Sequence, residues 1–248
     1  MLTGLLVFFC SFALSAQNAN QDFKIGNKQY DQGNYQEAVN AYQKVLDQGQ
    51  ESAALYYNLA NANYKLNRIA PAVYNYERAI KLKPNDADIK NNLDFAQRMT
   101  IDAITPLPQN TFDKWYNSIL NLFTTNGWAI LTVALILLFM VAFVAYYLIY
   151  GTLKKRIFFT TAFTSLGLGL LALFFAFRSE KRMNKDRPAI VFSAQAEVKA
   201  APNLSSDDAF TLHEGTKVMV LSDDNEWKEI RLADGKEGWI PKTDIKEY

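Results

Sequence analysis

The chain holds one cysteine, Cys10, and one histidine, His213, in 248 residues. A lone cysteine excludes a disulfide framework and any cysteine-based zinc site. A lone histidine removes His-cluster metal sites and most His-dependent triads, and His213 is read as a structural or surface residue of its turn. Charge of one sign is also missing: 26 Lys and Arg face 25 Asp and Glu, for a net charge of +1. An extended phosphate-binding surface needs a clear basic surplus, so no nucleic-acid partner is expected. No phosphate-cradling glycine loop, HExxH helix or nucleophile–histidine pair occurs. The paired carboxylates Asp223 and Asp224 fall in a turn, where solvation accounts for them. Neither catalysis nor a cofactor or metal is expected. What the chain has in quantity is apolar: 50% hydrophobic residues beside 21% charged ones, a mixture that points to segregation along the sequence.

Three apolar runs account for that composition. Leu2 to Ala16 is too short to span comfortably, since a helix needs about 20 apolar residues to cross the hydrocarbon core. With small residues at Ala13, Ser15 and Ala16 it reads as a signal peptide over residues 1–16, cut after Ser15 or Ala16, although no Lys or Arg precedes the run. Phe8 and Phe9 before Cys10 do not suit a lipoprotein anchor, which wants small residues there. Residues 128–150 and 157–177 are uncharged and reach roughly 34 and 32 Å as helices. Trp128, Tyr146, Tyr147 and Tyr150 sit at the ends of the first, where such rings favour the headgroup level. Two transmembrane helices are expected, joined by a basic turn over 151–156 and followed by a charged linker over 178–187. The charge rule is contradictory here: three positive residues lie in the turn, but five Lys and Arg with two acids follow the second span. The signal sequence acts first and carries the next segment across, so both flanking modules are expected outside the cytoplasm.

Residues 20–100 repeat with a period of 34: Tyr30 with Tyr64, Ala38 with Ala72, Tyr42 with Tyr76, Ile25 with Leu59 and Gly26 with Ala60. Together with YYNLANANYKLNRIAPAVYNYERAIKLKPND, closed by Pro84, this period resembles the tetratricopeptide repeat. Two repeats (20–52 and 53–86) and a capping helix (87–100) are expected. The resemblance implies a peptide-binding groove lined by the first helix of each pair, with candidates Phe23, Asn27, Tyr30, Tyr57, Asn58, Asn61 and Tyr64. Packing of these residues against their own neighbours is the alternative. Asn27 and Asn58 match the subclass that clamps a terminal carboxylate, whereas Phe23, Asp88 and Asn92 stand where that subclass has Lys or Arg. Residues 101–127 read as a linker broken by Pro106 and Pro108. Phe112, Trp115, Ile119, Leu120 and Phe123 then suggest an amphipathic helix in the membrane interface, or one packed beneath the repeats.

From Pro188 the texture turns to short alternating runs separated by Pro202-Asn203, Glu214-Gly215, Asp223-Asp224-Asn225 and Asp234-Gly235, which predicts a small barrel. LHEGTKV, WKEIRL and ADGKEGWIP, in order, resemble a bacterial SH3 domain over 188–248. That likeness implies a surface built on Trp227, Trp239 and Pro241. Asp244 stands at the tyrosine position of proline-binding relatives, so wall glycopeptides or protein partners suit it better. The segment carries a charge of −5 by count, which disfavours adhesion to anionic lipid.

The expected fold class is a multidomain membrane protein: an all-α repeat solenoid, a two-helix transmembrane hairpin and a small all-β SH3-like barrel. In that order these parts resemble the BatE family of aerotolerance operons in Bacteroidetes-type bacteria. The resemblance implies a non-enzymatic scaffold in the inner membrane, multi-pass, with both modules periplasmic. Its implied partners are von Willebrand A-domain membrane proteins of the Bat type and a MoxR-type ATPase. The alternative is a peptidoglycan-binding accessory protein acting through the SH3 domain.

Overall fold

A computed structural model describes residues 18–108 and 110–248, without the side chains of 184 and 185, so the expected signal peptide lies outside the described residues. The chain divides into two compact units. One combines the residues up to Pro108 with Arg187–Tyr248, and the other comprises residues 109–186.

The first unit opens with five helices: α1 over 18–31, α2 Tyr35–Asp47, α3 Ala53–Lys65, α4 Ile69–Leu82 and α5 Ala87–Gln97. Their ends follow from local chemistry. Ser52 accepts a hydrogen bond from Leu55 N (3.1 Å), and Asp86 accepts from Asp88 N and Ile89 N; both are good N-caps. The turn inside each helix pair needs a left-handed residue. It is Gly33 (φ 80°) in the first pair and, one period later, Asn67 (φ 57°), the two residue types that enter that region at least cost. At Gly26 a Cβ would fall 2.4 Å from the Tyr42 ring, so the first pair packs more closely than the second, where Ala60 holds the equivalent place. Ala38, Ala72, Tyr42 and Tyr76 are buried between the helices.

The same unit contains a seven-stranded antiparallel sheet of order β3-β2-β6-β5-β4-β1-β7. Its strands are β1 Pro188–Val191, β2 Gln195–Lys199, β3 Asp208–His213, β4 Lys217–Asp224, β5 Trp227–Arg231, β6 Glu237–Pro241 and β7 Ile245–Glu247. Strand β1 joins the barrel to the helices. Its apolar run has no polar alternate, because alternation sends Ala189 and Val191 into the barrel core and Ile190 into the core built on α3, α4 and α5. Around Ile190, Tyr74 of α4 meets Phe192 and Tyr248 edge-on, with centroids 5.6 and 5.8 Å apart. Buried Glu77 of α4 pairs with Lys217 at 2.7 Å. The repeats and the barrel are therefore welded along α4, although the sequence reading treats them as separate modules.

Residues 101–108, expected as linker, are part of the weld. Asp102 Oδ2 accepts from His213 N (2.7 Å) and Thr216 Oγ1 (2.6 Å), while Oδ1 lies 2.8 Å from His213 Nδ1. Ile104 packs on the barrel core, and Leu107 N donates to Ala233 O (3.0 Å). The two prolines keep this strap extended.

The second unit holds α6 Thr111–Leu120, α7 Thr125–Leu148 and α8 Thr152–Lys185. Helices α7 and α8 are long and apolar enough to cross a membrane. Where they meet, Thr132, Ala142, Ala162, Ser165 and Ala172 are buried, Gly169 brings backbone against Leu135 and Ile136, and aromatic pairs cross between the helices, among them Trp128 stacked on Phe175 (5.0 Å) and Tyr146 against Phe159 (5.7 Å). Outside stand Ile130, Val133, Leu137, Val141, Leu170, Phe174 and Phe177. Small residues at such a contact let two helices approach closely. The buried hydroxyls donate within their own helices, Thr132 to Trp128 O (2.9 Å) and Ser165 to Ala162 O (2.8 Å).

The boundaries in this unit differ from the sequence expectation. The reversal over 149–151 is shorter than the expected turn, because Gly151 (φ 113°) turns the chain, and Lys154, Lys155 and Arg156 belong to α8. The charged segment after the second apolar run continues α8 to Lys185, there being no Gly or Pro to break it before Pro188. Helix α6 is divided between two environments. Leu120 is buried and accepts from Trp128 Nε1 (3.1 Å), and Tyr116 accepts from Arg178 Nε (3.0 Å), while Phe112 and Trp115 face outward.

Candidate protein-binding surfaces

The first helices of the repeats, α1, α3 and α5, are joined side by side by asparagines. Asn58 Nδ2 donates to Asn27 Oδ1 (2.9 Å), and one period later Asn92 Nδ2 donates to Asn61 Oδ1 (3.0 Å). A tyrosine from each second helix supports the acceptor from below: Tyr42 OH donates to Asn27 (2.8 Å), and Tyr76 OH to Asn61 (2.5 Å). Burial raises both phenols above their ordinary range, which keeps them protonated as donors. Tyr57 OH accepts a second bond from Asn92 Nδ2 (2.9 Å) and its ring lies 6.1 Å from that of Tyr76.

The sequence-expected groove residues thus separate into two sets. Asn27, Asn58, Asn61 and Tyr57 come together as a half-buried polar ladder. Phe23 leans on Tyr42 (5.9 Å), Tyr30 meets Tyr35 edge-on (5.3 Å), and Tyr64 packs beside the second-repeat core. Burial raises the Tyr30 phenol, with Tyr35 and Tyr57 adding to it. Asn92, noticed in the sequence only for what it is not, is a rung of the ladder. The signal that finds it is its spacing from Asn58, the same as that of Asn61 from Asn27.

On the barrel, strand register makes the second surface. Trp227 lies opposite Pro241 and Glu229 opposite Trp239 on β5 and β6. Residues two apart on a strand share a face, so Trp227, Trp239 and Pro241 form one half-buried aromatic surface. Ser222 Oγ donates to Glu229 on it (2.7 Å). At the strand ends, Arg187 bridges Asp223 (2.5 Å) and Glu247 (2.9 Å), and Lys228 pairs with Glu247 as well. Burial acts to raise the Glu247 carboxyl, but hydrogen bonds from Arg187 and Lys228 outweigh it and hold the group low. Among the described residues no group of three or more His, Cys, Asp or Glu is placed to hold a metal ion.

Residues 23–87 match the family model for the tetratricopeptide repeat, and residues 194–246 match that for the bacterial SH3 domain. The class is set by these matches and the fold: an N-terminal helical repeat region, two long apolar helices and a C-terminal antiparallel SH3 domain. Both matched modules are non-catalytic and typical of protein-binding adaptors. No curated protein matches the chain.

Proposed function

We propose that the protein is a non-enzymatic adaptor held in a bacterial inner membrane by the α7–α8 hairpin, with repeats and barrel together on its periplasmic side. The observation that carries this reading is the weld along α4 and the strap. Modules from either side of two apolar helices share one folded unit, which requires an even number of crossings between them. The adaptor then presents the asparagine ladder and the tryptophan face in one body, so that two ligands, or two parts of one, meet at high effective concentration. Outward-facing Phe112 and Trp115 on α6 suit a helix lying in the membrane interface. By resemblance to the BatE family, the partners are von Willebrand A-domain membrane proteins and a MoxR-type ATPase, in aerotolerance or envelope stress.

Cysteine accessibility in intact spheroplasts tests this arrangement, with Cys10 replaced by Ser and single cysteines at Lys65, Thr152 and Ser205. Labelling at positions 65 and 205 but not 152 is expected. Labelling of one module without the other would end the shared-side reading. Capture of a partner by the repeats is expected to fail in Tyr57→Ala with Tyr64→Ala while the barrel stays folded. Sedimentation with purified wall sacculi through Trp227 and Trp239 would favour the peptidoglycan-binding alternative.

A further inference from the structure

Three cations crowd one end of the α7–α8 hairpin. Lys154, Lys155 and Arg156 stand at the start of α8, beside the reversal over 149–151, and no Asp or Glu occurs between Asp113 and Glu180. The nearest acid on α8, Glu180, is roughly 36 Å further along the helix at ~1.5 Å per residue. None of the three side chains forms an ion pair with a described residue. Lys155 Nζ lies 5.8 Å from the centre of the Tyr146 ring on α7. The helix itself gains nothing from these charges, because its N-terminal end is the positive end of its dipole and its first turn holds no acid.

At the other end of the same hairpin the arginines are answered within the chain. Arg178 Nε donates to Tyr116 OH (3.0 Å), and Arg182 pairs with Asp186 (3.4 Å) and reaches the amide oxygens of Asn117 and Asn121. The tip alone is left with uncompensated positive charge, and its geometry narrows the choice of anion. Successive helical residues turn by about 100°. With Lys155 toward Tyr146, Lys154 and Arg156 therefore diverge to either side of the hairpin. One small ion cannot meet both, and a protein surface docked on one side meets only one of them. Their depth is set by the apolar lengths they border, since α7 ends at Leu148 and the second uncharged run begins at Ile157. Tyr147 and Tyr150, 77% and 94% exposed, share that level, where such rings meet headgroups. The anions present on every side of a hairpin at that depth are lipid phosphates. A zwitterionic headgroup brings its own cation, so only a net-anionic one neutralises the tip.

We infer that the α7–α8 tip binds anionic phospholipid headgroups on both sides of the hairpin, with Lys154 and Arg156 as the outer contacts and Lys155 between them. The inference rests on α7 and α8 lying in a bilayer, and not on which side the tip faces.

The test is mass spectrometry of the intact full chain, released in mild detergent from vesicles of equal phosphatidylglycerol and phosphatidylcholine. Each cation near an anionic surface counts for about 5-fold, so phosphatidylglycerol is expected to be retained at least ~10-fold over phosphatidylcholine. Lys154→Gln with Lys155→Gln and Arg156→Gln should abolish that preference. Lys154→Arg with Lys155→Arg, which keeps the charge, should preserve it, as should Arg178→Gln with Arg182→Gln at the other end. Equal retention of the two lipids by the unsubstituted chain overturns the inference. So does a preference that survives the triple substitution, or one that vanishes with Arg178 and Arg182. Displacement of the lipid by millimolar inorganic phosphate would mark a small-anion site, and displacement by a polyglutamate peptide an acidic protein partner; either overturns it. Failure of the chain to enter the vesicles sinks the membrane reading and this inference with it, whereas entry without lipid preference sinks the inference alone.

Discussion

Asp102 Oδ1 and His213 Nδ1 lie 2.8 Å apart although 111 positions, with both long apolar helices among them, separate the two residues in the chain. Asp102 also takes the His213 backbone N–H and the Thr216 hydroxyl, so one carboxylate fastens the end of the repeats to the β3–β4 turn.

Asp102→Ala leaves those donors partnerless and is expected to destabilise the unit by about 2–3 kcal/mol, measured by urea unfolding in detergent. The pH dependence has a definite sign. Burial works to raise the Asp102 carboxyl, but hydrogen bonds from Thr216 and His213 outweigh it, and the group ends below its usual range. The stabilisation is therefore complete above the unfolded value of about 3.9 and is lost as pH falls through the lower folded one. In that window the unfolded chain binds more protons. Asp102→Asn should flatten that part of the profile.

Two glycines separate backbone strain from contact across the weld. Gly33 and Gly215 both have positive φ, 80° and 86°, but a Cβ at Gly33 would meet nothing within 4 Å. At Gly215 it would fall 2.7 Å from Thr100 Cγ2 and 2.9 Å from Ile69 Cγ2. Gly33→Ala is expected to cost about 1–2 kcal/mol of left-handed strain. Gly215→Ala should cost a further 1–3 kcal/mol or so from overpacking and loosen the barrel from α4, seen as faster proteolysis in the strap.

The ladder predicts matched losses one period apart. Asn27→Ala and Asn61→Ala each deprive a buried tyrosine hydroxyl and a neighbouring asparagine of their acceptor. Both should lower stability by about 1–3 kcal/mol. Tyr76→Phe, which removes a donor while Asn92 still reaches Asn61, should cost less. Thermal unfolding of the three variants side by side checks the order.

The fold class could be read from the sequence because each part carries a local pattern. Tyr42 and Tyr76 recur at the repeat spacing, the runs beginning at Trp128 and Ile157 lack charge, and the barrel runs alternate between turns. The polar ladder is partly legible, since Asn27, Asn58 and Asn61 stand among the groove candidates, but the sequence marks Tyr42 and Tyr76 only as a repeat pair and Asn92 only as a missing basic residue. Asp102 was invisible: one acid in IDAIT has no period, and its partners lie beyond both apolar helices. Ile190 was equally hidden, because a continuous apolar strand does not say what covers its second face.

The strap and strand β1 also impose an order of events at the ribosome. Helix α4, with Tyr74, Glu77 and the place that Ile190 fills, is synthesised before the apolar helices, and its cover only after them. At about 5–20 residues per second the nascent repeats wait on the order of ten seconds for the barrel. During that interval the α4 face is bare, and a chaperone or a neighbouring nascent chain has its best chance of occupying it.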